Sequence, residues 1–161
     1  MSANEYTDVM LEIFSAIERR DFQRLLDFCQ PDVEFLWPPS LPYAGGERGA
    51  WAQTWVPLQP TETERRMDPR VVAASGNEVV VLWQQRGVSP AGDRFDGPVL
   101  ALYQLRDGKL ARAQMFYFDT VGVAGFLAKA RANTGPRRLR DRQLSLRAAY
   151  TLSAAPARGV A

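Results

Sequence analysis

A chain of 161 residues, 46% hydrophobic and 24% charged, fits one globular domain with a core large enough to fold without disulfides. The single cysteine, Cys29, cannot form an intrachain disulfide, and the absence of histidine removes the commonest metal ligand and general base. No apolar run is long enough to span a bilayer, and the first residues lack the basic and apolar regions of a signal peptide. We therefore expect a soluble cytoplasmic protein that uses no metal or cofactor.

The net charge of +2 is unevenly distributed along the chain. Six arginines and one aspartate follow Asn133, which leaves 14 basic and 17 acidic residues before that point. We interpret residues 1–134 as the folded domain and residues 135–161, rich in arginine and alanine, as a loosely ordered tail. The alternative is that the leucines of the tail dock on the domain. Nucleic-acid binding by the tail is weakly supported, because base stacking needs several aromatic residues and the tail has only Tyr150.

Two helices are predicted at the start of the chain. Apolar residues recur at three- and four-residue spacing, which predicts an amphipathic helix over residues 6–19. A second apolar stripe begins after Asp21, and Pro31 ends it. Cys29 lies in this stripe and is interpreted as a small core residue, since a thiol nucleophile would need a histidine partner.

A short strand over residues 33–37 precedes a loop over residues 38–46 that is too rich in proline and glycine for a regular element. Trp51 and Trp55 are four residues apart, which predicts one face of a short helix over residues 47–56. Three or four strands follow, roughly over residues 64–74, 78–88, 97–105 and 109–118.

The turn Asp107-Gly108 joins the last two predicted strands and is a strong hairpin signal, because both residue types tolerate positive φ. A final helix begins near Thr120. Strands joined by hairpins favour an antiparallel sheet with helices on one face, which is the α+β class. The sequence contains no glycine-rich phosphate loop, zinc-ligand spacing or serine–histidine triad.

Asp119 stands between an aromatic strand and the last helix and has two interpretations. A half-buried carboxylate there would have a raised pKa, since burial disfavours the charged form, and would exchange a proton near neutral pH. Alternatively, Asp119 caps the helix by accepting hydrogen bonds from the N–H groups of its first turn. Local sequence favours capping, and the two roles can coexist.

Other residues are candidates for a ligand pocket. Strand alternation places Tyr117 on the same side as Asp119, where its hydroxyl would hydrogen-bond a ligand. Gln85 lies inside a strand and would either orient a substrate carbonyl or face water. Aromatic side chains that fill a core or line a cavity are Trp37, Tyr43, Trp51, Trp55 and Trp83. Tyr43 is the hardest of these to explain as core, because it lies in a loop and loops often carry function.

The order of elements and three short segments carry a family resemblance. The segments are Pro42-Tyr43-Ala44-Gly45, Asp107-Gly108-Lys109-Leu110 and Tyr117-Phe118-Asp119-Thr120. In these features the chain resembles SnoaL-like members of the nuclear transport factor 2 superfamily. The similarity covers about residues 6–132. It implies a curved antiparallel sheet wrapped by about three main helices into a cone with one deep apolar pocket, in a homodimer. Relatives include polyketide cyclases, ketosteroid isomerases, limonene epoxide hydrolases, scytalone dehydratases and proteins that only bind, so the fold does not decide the activity.

The resemblance also carries expectations for single positions. Asp119 falls where SnoaL-type cyclases and the epoxide hydrolases place a catalytic aspartate. However, Ala101 stands where such cyclases often carry a histidine, and Trp83 and Gln85 stand where the epoxide hydrolases have an Arg-x-Asp. The chain thus retains one candidate carboxyl near an aromatic pocket, which suits proton transfer or folding of a polycarbonyl better than hydrolysis.

We therefore predict a cofactor-free cyclase or isomerase that acts on a small, largely apolar, carbonyl-bearing natural-product intermediate resembling a polyketide. Asp119 is the predicted general acid or base. The predicted substrate-binding residues are Trp37, Tyr43, Trp55, Trp83, Gln85 and Tyr117. The alternatives are shape-only catalysis and a non-catalytic protein of the same fold that binds a small molecule or mediates dimerisation.

Overall fold

The computed structural model describes residues 2–46 and 49–132. The predicted tail, residues 135–161, lies outside the described residues, as do the first two residues of the short helix predicted over residues 47–56. The domain boundary near residue 134 therefore stays a prediction.

Helix α1, Ala3–Arg19, begins with a capping box, in which the hydroxyl of Ser2 accepts from the Glu5 N–H and the Glu5 carboxylate accepts from the Ser2 N–H. Helix α2, Phe22–Asp27, is capped by the side chain of Asp21. The amphipathic helix predicted from residue 6 is confirmed and begins one turn earlier, because capping groups are available there.

The second helix is shorter than predicted, because strand β1, Cys29–Leu36, begins four residues earlier than expected. Pro31 lies inside this strand rather than ending a helix. The position is compatible with proline because β1 is an edge strand, whose outer N–H groups need no ladder partner. Cys29 was predicted in the helix and lies on the strand instead, although it is buried as expected at 6% exposure.

Between β1 and the next strand the chain forms helix α3, Ala50–Trp55, a 3₁₀ turn, Val56–Leu58, and helix α4, Glu62–Arg65. The short helix bearing two tryptophans is thus confirmed. A strand was predicted over residues 64–74, and this prediction is wrong for the residues before Arg70, where the strand begins. Thr61 caps α4 by accepting from the Glu64 N–H, which holds this segment in a helical turn before the strand starts.

The remaining strands are β2, Arg70–Ser75, β3, Glu78–Val88, β4, Arg94–Arg106, and β5, Lys109–Tyr117. They form one sheet with β1 in the order β1-β5-β4-β3-β2. Strands β2 to β5 are antiparallel neighbours as predicted, whereas β1 joins β5 in parallel. The hairpin turn at Asp107-Gly108 has φ of 52° and 76°, as its sequence predicts.

Burial alternates residue by residue along β3, which defines an inner face that carries the core and an outer face that is partly exposed. Helix α1 packs on the inner face, and helix α5, Thr120–Ala132, closes the end of the sheet with Phe126 stacked on Trp55 at 5.9 Å between ring centroids. The sheet is curved and unclosed, so the α+β cone predicted from the sequence is confirmed. In residues 2–46 and 49–132, no helix is long and apolar enough to cross a membrane.

Candidate functional site

An inner cavity of about 60 Å³ lies between α1 and the inner face of the sheet. Its walls are mostly apolar and include Ile13 and Phe14 from α1 and Met115 from β5. The lining residues that carry a polar side-chain atom are Trp37, Trp51, Trp55, Trp83, Gln85, Tyr103 and Tyr117. None of the described lining residues is acidic or basic, so the cavity can offer hydrogen bonds but no formal charge.

Three side chains form a buried hydrogen-bond chain at the wall of this cavity. The hydroxyl oxygens of Tyr43 and Tyr117 are 2.9 Å apart, and the indole N–H of Trp55 donates to the Tyr43 hydroxyl at 3.2 Å. The exposed fractions are 3% for Tyr43, 9% for Tyr117 and 1% for Trp55. The proline-rich loop holds Tyr43 in place through backbone turns, in which Ala44 N–H donates to Leu41 and Gly46 N–H donates to Tyr43. We call this arrangement the tyrosine relay.

Burial keeps both phenols of the relay neutral. Desolvation raises the pKa of Tyr43, and hydrogen bonds from Tyr117 and Trp55 offset this in part. Desolvation, with a smaller contribution from neighbouring Tyr43, raises the pKa of Tyr117 well above its usual value. At neutral pH both residues are therefore proton donors or hydrogen-bond donors, and neither is poised as a base.

Trp83 contributes to the cavity wall a buried polar atom that the protein leaves unpaired, and Tyr103 lies beside it. The indole nitrogen of Trp83 is buried without a hydrogen-bond partner, and burial strongly raises the pKa of Tyr103, which in turn contributes to the raised pKa of Tyr117. Gln85 is 6% exposed, and its amide makes one long contact of 3.5 Å to the Arg86 carbonyl. Buried polar groups are nearly always paired, and of the buried atoms left unpaired in the described residues, only the Trp83 nitrogen belongs to a residue that lines this cavity.

An outer hollow of about 150 Å³ lies beside the inner cavity. The two share three wall residues, Phe35, Trp37 and Trp51, which separate them as an aromatic partition. Trp37 stacks on Phe35 at 6.2 Å and lies 6.4 Å from Trp51, between ring centroids. The three rings of the partition are half-buried and pack against the core.

Asp119 does not join this site. Its carboxylate is exposed, and its Oδ1 accepts from the Gly122 N–H at 2.7 Å while its carbonyl accepts from Val123, which is the geometry of a helix cap. Gly122 makes room for this cap, because a Cβ there would lie 2.2 Å from Oδ2. The expectation that Asp119 is half-buried at the cavity wall is wrong, and its predicted acid–base role stays a prediction.

The reason for the misplacement is the end of β5 at Tyr117. Alternation holds within the strand, with Met115 and Tyr117 buried and Phe116 exposed, but the chain turns at Phe118 before it reaches Asp119. Extrapolating the strand by two residues therefore assigned Asp119 to the wrong side.

The structure brings together the other predicted site residues. Trp37, Trp55, Trp83, Gln85 and Tyr117 line the inner cavity, and Tyr43 reaches it through the relay. Sequence reasoning did not select Tyr103 or Phe14. Tyr103 shares the inward parity of Val99 and Ala101 along β4, which is the signal that would have found it.

No group of three acidic or cysteine side chains placed to hold a metal ion occurs in the described ranges 2–46 and 49–132. The polar groups of the inner cavity are phenols, indoles and an amide, which suit neutral oxygen acceptors better than metal ions.

Comparison with known proteins identifies the family. The profile of the SnoaL-like domain matches residues 10–113, which is more than half of the chain. The chain belongs to the SnoaL-like domain family. The matched segment of this SnoaL-like protein contains most of the inner cavity but ends before Tyr117 and Asp119. No curated protein matches the chain.

Solved structures with the same fold are distant in sequence. TerC, crystallised with polyporic acid, shares 20% identity over 77% of this chain and 98% of its own, with a TM-score of 0.63. An NTF2-like protein of Burkholderia xenovorans LB400 shares 24% identity over 78% of this chain and 97% of its own, with a TM-score of 0.56. A candidate polyketide cyclase of Xanthomonas campestris pv. campestris shares 22% identity over 76% and 96%, with a TM-score of 0.55. At these identities the likeness establishes the NTF2-like fold alone.

Proposed function

We propose that this SnoaL-like protein is a cofactor-free cyclase or isomerase that acts on a small, largely apolar, carbonyl-bearing intermediate of polyketide type. The observation that carries the proposal is the tyrosine relay at the wall of an apolar cavity. Tyr117 presents a neutral phenol to the cavity, and Tyr43 and Trp55 hold that phenol in position.

In the proposed mechanism the hydrogen bonds of the relay run in one direction, from Trp55 through Tyr43 to Tyr117. Trp55 N–H occupies one lone pair of the Tyr43 oxygen. When Tyr43 in turn donates to Tyr117, the Tyr117 proton is left for a ligand oxygen. A carbonyl that accepts this proton or hydrogen bond becomes more electrophilic and its enol form more accessible, which promotes carbon–carbon bond formation or a double-bond shift.

The walls supply the second part of the proposed mechanism. Trp37, Trp51 and Trp55 present flat apolar surfaces that hold a flexible polycarbonyl in a compact, near-reactive conformation, and so reduce the entropy lost at the transition state. The 150 Å³ hollow is comparable to a cavity that holds one benzene ring, and it shares the partition with the inner cavity, so a larger substrate would displace these rings to occupy both. We propose Trp37, Trp55, Trp83 and Gln85 as the residues that orient the substrate.

Asp119 has no part in this proposal beyond its cap, because its carboxylate faces solvent. One specific observation favours the competing function of a non-catalytic binding protein. No carboxylate lines the inner cavity within the described residues, so proton abstraction there would rely on water or on the substrate itself.

The two functions are separated by turnover of a simple poly-β-ketone. Heptane-2,4,6-trione closes to 2,6-dimethyl-4-pyranone when an enol oxygen attacks the distal ketone and water leaves, and the reaction is followed by ultraviolet absorbance. We expect the wild-type protein to accelerate closure and Tyr117→Phe to lower that acceleration by roughly 10²- to 10³-fold, the effect of removing one positioned donor. Binding of the trione without acceleration of closure would establish the binding-protein alternative.

We also propose that the protein is a homodimer that pairs through the outer face of the sheet. Leu100 and Phe116 are directly opposite each other on β4 and β5, at 36% and 48% exposure, and Phe118 is 88% exposed nearby. A second copy would cover this apolar face with an identical one, as a two-fold axis requires. Sedimentation of wild-type protein as a dimer, and of Phe116→Lys as a monomer, is expected; a monomeric wild type at micromolar concentration contradicts the proposal.

A further inference from the structure

A buried polar atom without a partner, the Trp83 indole nitrogen, lies on a ring beside Tyr103 in the inner cavity. The ring centroids of Trp83 and Tyr103 are 6.4 Å apart, and both rings pack against Phe14, at 5.2 and 6.1 Å. Both residues line the cavity, at 4% and 7% exposure. The Trp83 indole nitrogen has no hydrogen-bond partner, and Tyr103, which lies beside it, contributes to the raised pKa of Tyr117.

Leaving the Trp83 indole unpaired is unfavourable, since a buried donor without a partner costs about 1–3 kcal/mol. The nearby relay shows that the same fold can pair buried phenols and indoles, because Tyr43, Tyr117 and Trp55 satisfy one another. The contrast between the paired group and the unpaired group needs a physical reason. A ligand oxygen that accepts hydrogen bonds from the second group would explain the difference.

We propose that Tyr103 and Trp83 form a second polar anchor, which binds a neutral acceptor oxygen of the ligand at a position distinct from the relay. The groups are on different strand positions: Tyr103 faces Ala113 across β4 and β5, whereas Tyr117 faces Val99. This inference deepens the proposed function, on which it rests for the statement that the ligand is a substrate. It specifies a ligand with at least two oxygen acceptors, one for each group.

The anchor also specifies the charge of the ligand. Tyrosine and tryptophan offer donors without positive charge, and no arginine or lysine lines the cavity in the described part of the chain. A buried carboxylate or phosphate would lack a counter-charge there, which is strongly unfavourable. The ligand part that enters the cavity is therefore a neutral ketone, enol or quinone and not an acid.

An ordered water is the competing occupant, since buried waters commonly bridge otherwise unpaired groups. A matched pair of probes distinguishes the two: cyclohexanone and methylidenecyclohexane have the same shape, and only the ketone accepts a hydrogen bond. Tyr103→Phe removes one oxygen and keeps the ring, and Trp83→Phe removes the indole N–H. Dissociation constants for both probes are measured with wild-type protein and the two variants by ¹H–¹⁵N NMR titration.

We expect Tyr103→Phe and Trp83→Phe each to weaken cyclohexanone binding by roughly 2- to 12-fold, the value of one neutral hydrogen bond. Methylidenecyclohexane should bind all three proteins within about twofold, because it makes no such bond. In wild-type protein the ketone should move the indole proton resonance of Trp83 downfield, and the resonance is assigned by its loss in Trp83→Phe. Tyr103→Phe alone tests the anchor should Trp83→Phe fail to fold.

The inference is overturned if Tyr103→Phe weakens the binding of both probes equally, or if it changes the affinity for neither. It is also overturned if wild-type protein binds neither probe, or if cyclohexanone does not shift the Trp83 indole proton resonance. Unchanged ketone affinity with a retained fold would identify a water site. Failure of the proposed function is a separate result. In that case the probes still discriminate between the variants, while heptane-2,4,6-trione closes no faster with the protein than without it.

Discussion

Tyr43→Phe is the substitution whose effect on stability the structure defines most sharply. The change keeps the ring and its edge-to-face contact with Trp37, at 5.0 Å between centroids, and removes only the hydroxyl. Two buried partners then lose that hydroxyl: the Tyr117 hydroxyl at 2.9 Å and the Trp55 indole N–H at 3.2 Å. Each group left unpaired costs about 1–3 kcal/mol, with Tyr117 at the lower end because it borders a cavity. We expect a loss of about 2–4 kcal/mol.

Two matched variants in the same site set the scale. Tyr117→Phe leaves Tyr43 bonded to Trp55 and removes one hydrogen bond, so we expect a loss of about 1 kcal/mol. Tyr103→Phe removes a hydroxyl without a protein partner and should change stability by about zero or raise it slightly. The expected order of destabilisation is therefore Tyr43→Phe, then Tyr117→Phe, then Tyr103→Phe.

Urea unfolding at pH 7, followed by far-ultraviolet circular dichroism at one protein concentration, measures the three free energies on the same footing. A Tyr103→Phe loss as large as that of Tyr43→Phe would show that the Tyr103 hydroxyl is paired and would remove the basis of the second anchor. Equal losses for Tyr43→Phe and Tyr117→Phe would show that the Trp55 bond contributes nothing to the relay.

Three further predictions concern other parts of the molecule. Asp119→Asn should leave turnover unchanged, whereas Asp119→Ala should lower the free energy of unfolding by about 1 kcal/mol because the helix cap is lost. A large fall in turnover for the asparagine variant would restore Asp119 as the acid–base residue. Burial raises the Tyr103 pKa, so above pH 10, the usual tyrosine pKa, the unfolded chain loses this proton while the folded protein keeps it, and stability falls as pH rises. Urea unfolding between pH 9 and 11.5 should therefore show a dependence of stability on pH that is shallower in Tyr103→Phe by up to about 1.4 kcal/mol per pH unit. Truncation after Thr134 should leave the melting temperature within a few degrees of the full chain, and a larger fall would show that the tail docks on the domain.

Much of the fold could be predicted because its signals are local. The apolar spacing of α1, the alternation of β3 and the Asp107-Gly108 turn each depend on residues a few positions apart. The start of β1 was wrong for the opposite reason. Proline at residue 31 ends a helix in isolation, and only the edge position beside β5 makes it acceptable in a strand.

The candidate site likewise has features that the local sequence predicts and features that depend on the complete fold. The aromatic residues that line the cavity could be selected by type and by strand parity, which are properties of the sequence. The relay could not, since residues 43 and 117 are 74 positions apart and meet only after the loop folds over the sheet. Asp119 was misplaced because the sequence does not mark where a strand ends within two residues, and that interval decides which way a side chain points.

The aromatic partition has a kinetic consequence. In the proposed function, a substrate that occupies both hollows displaces Phe35, Trp37 and Trp51, which line both of them, so the measured affinity is reduced by the free energy needed to move these rings. Association is slow for the same reason, and dissociation is equally delayed once the rings close. An intermediate that decomposes in water would therefore remain enclosed long enough to react, even where no single residue accelerates its chemistry strongly.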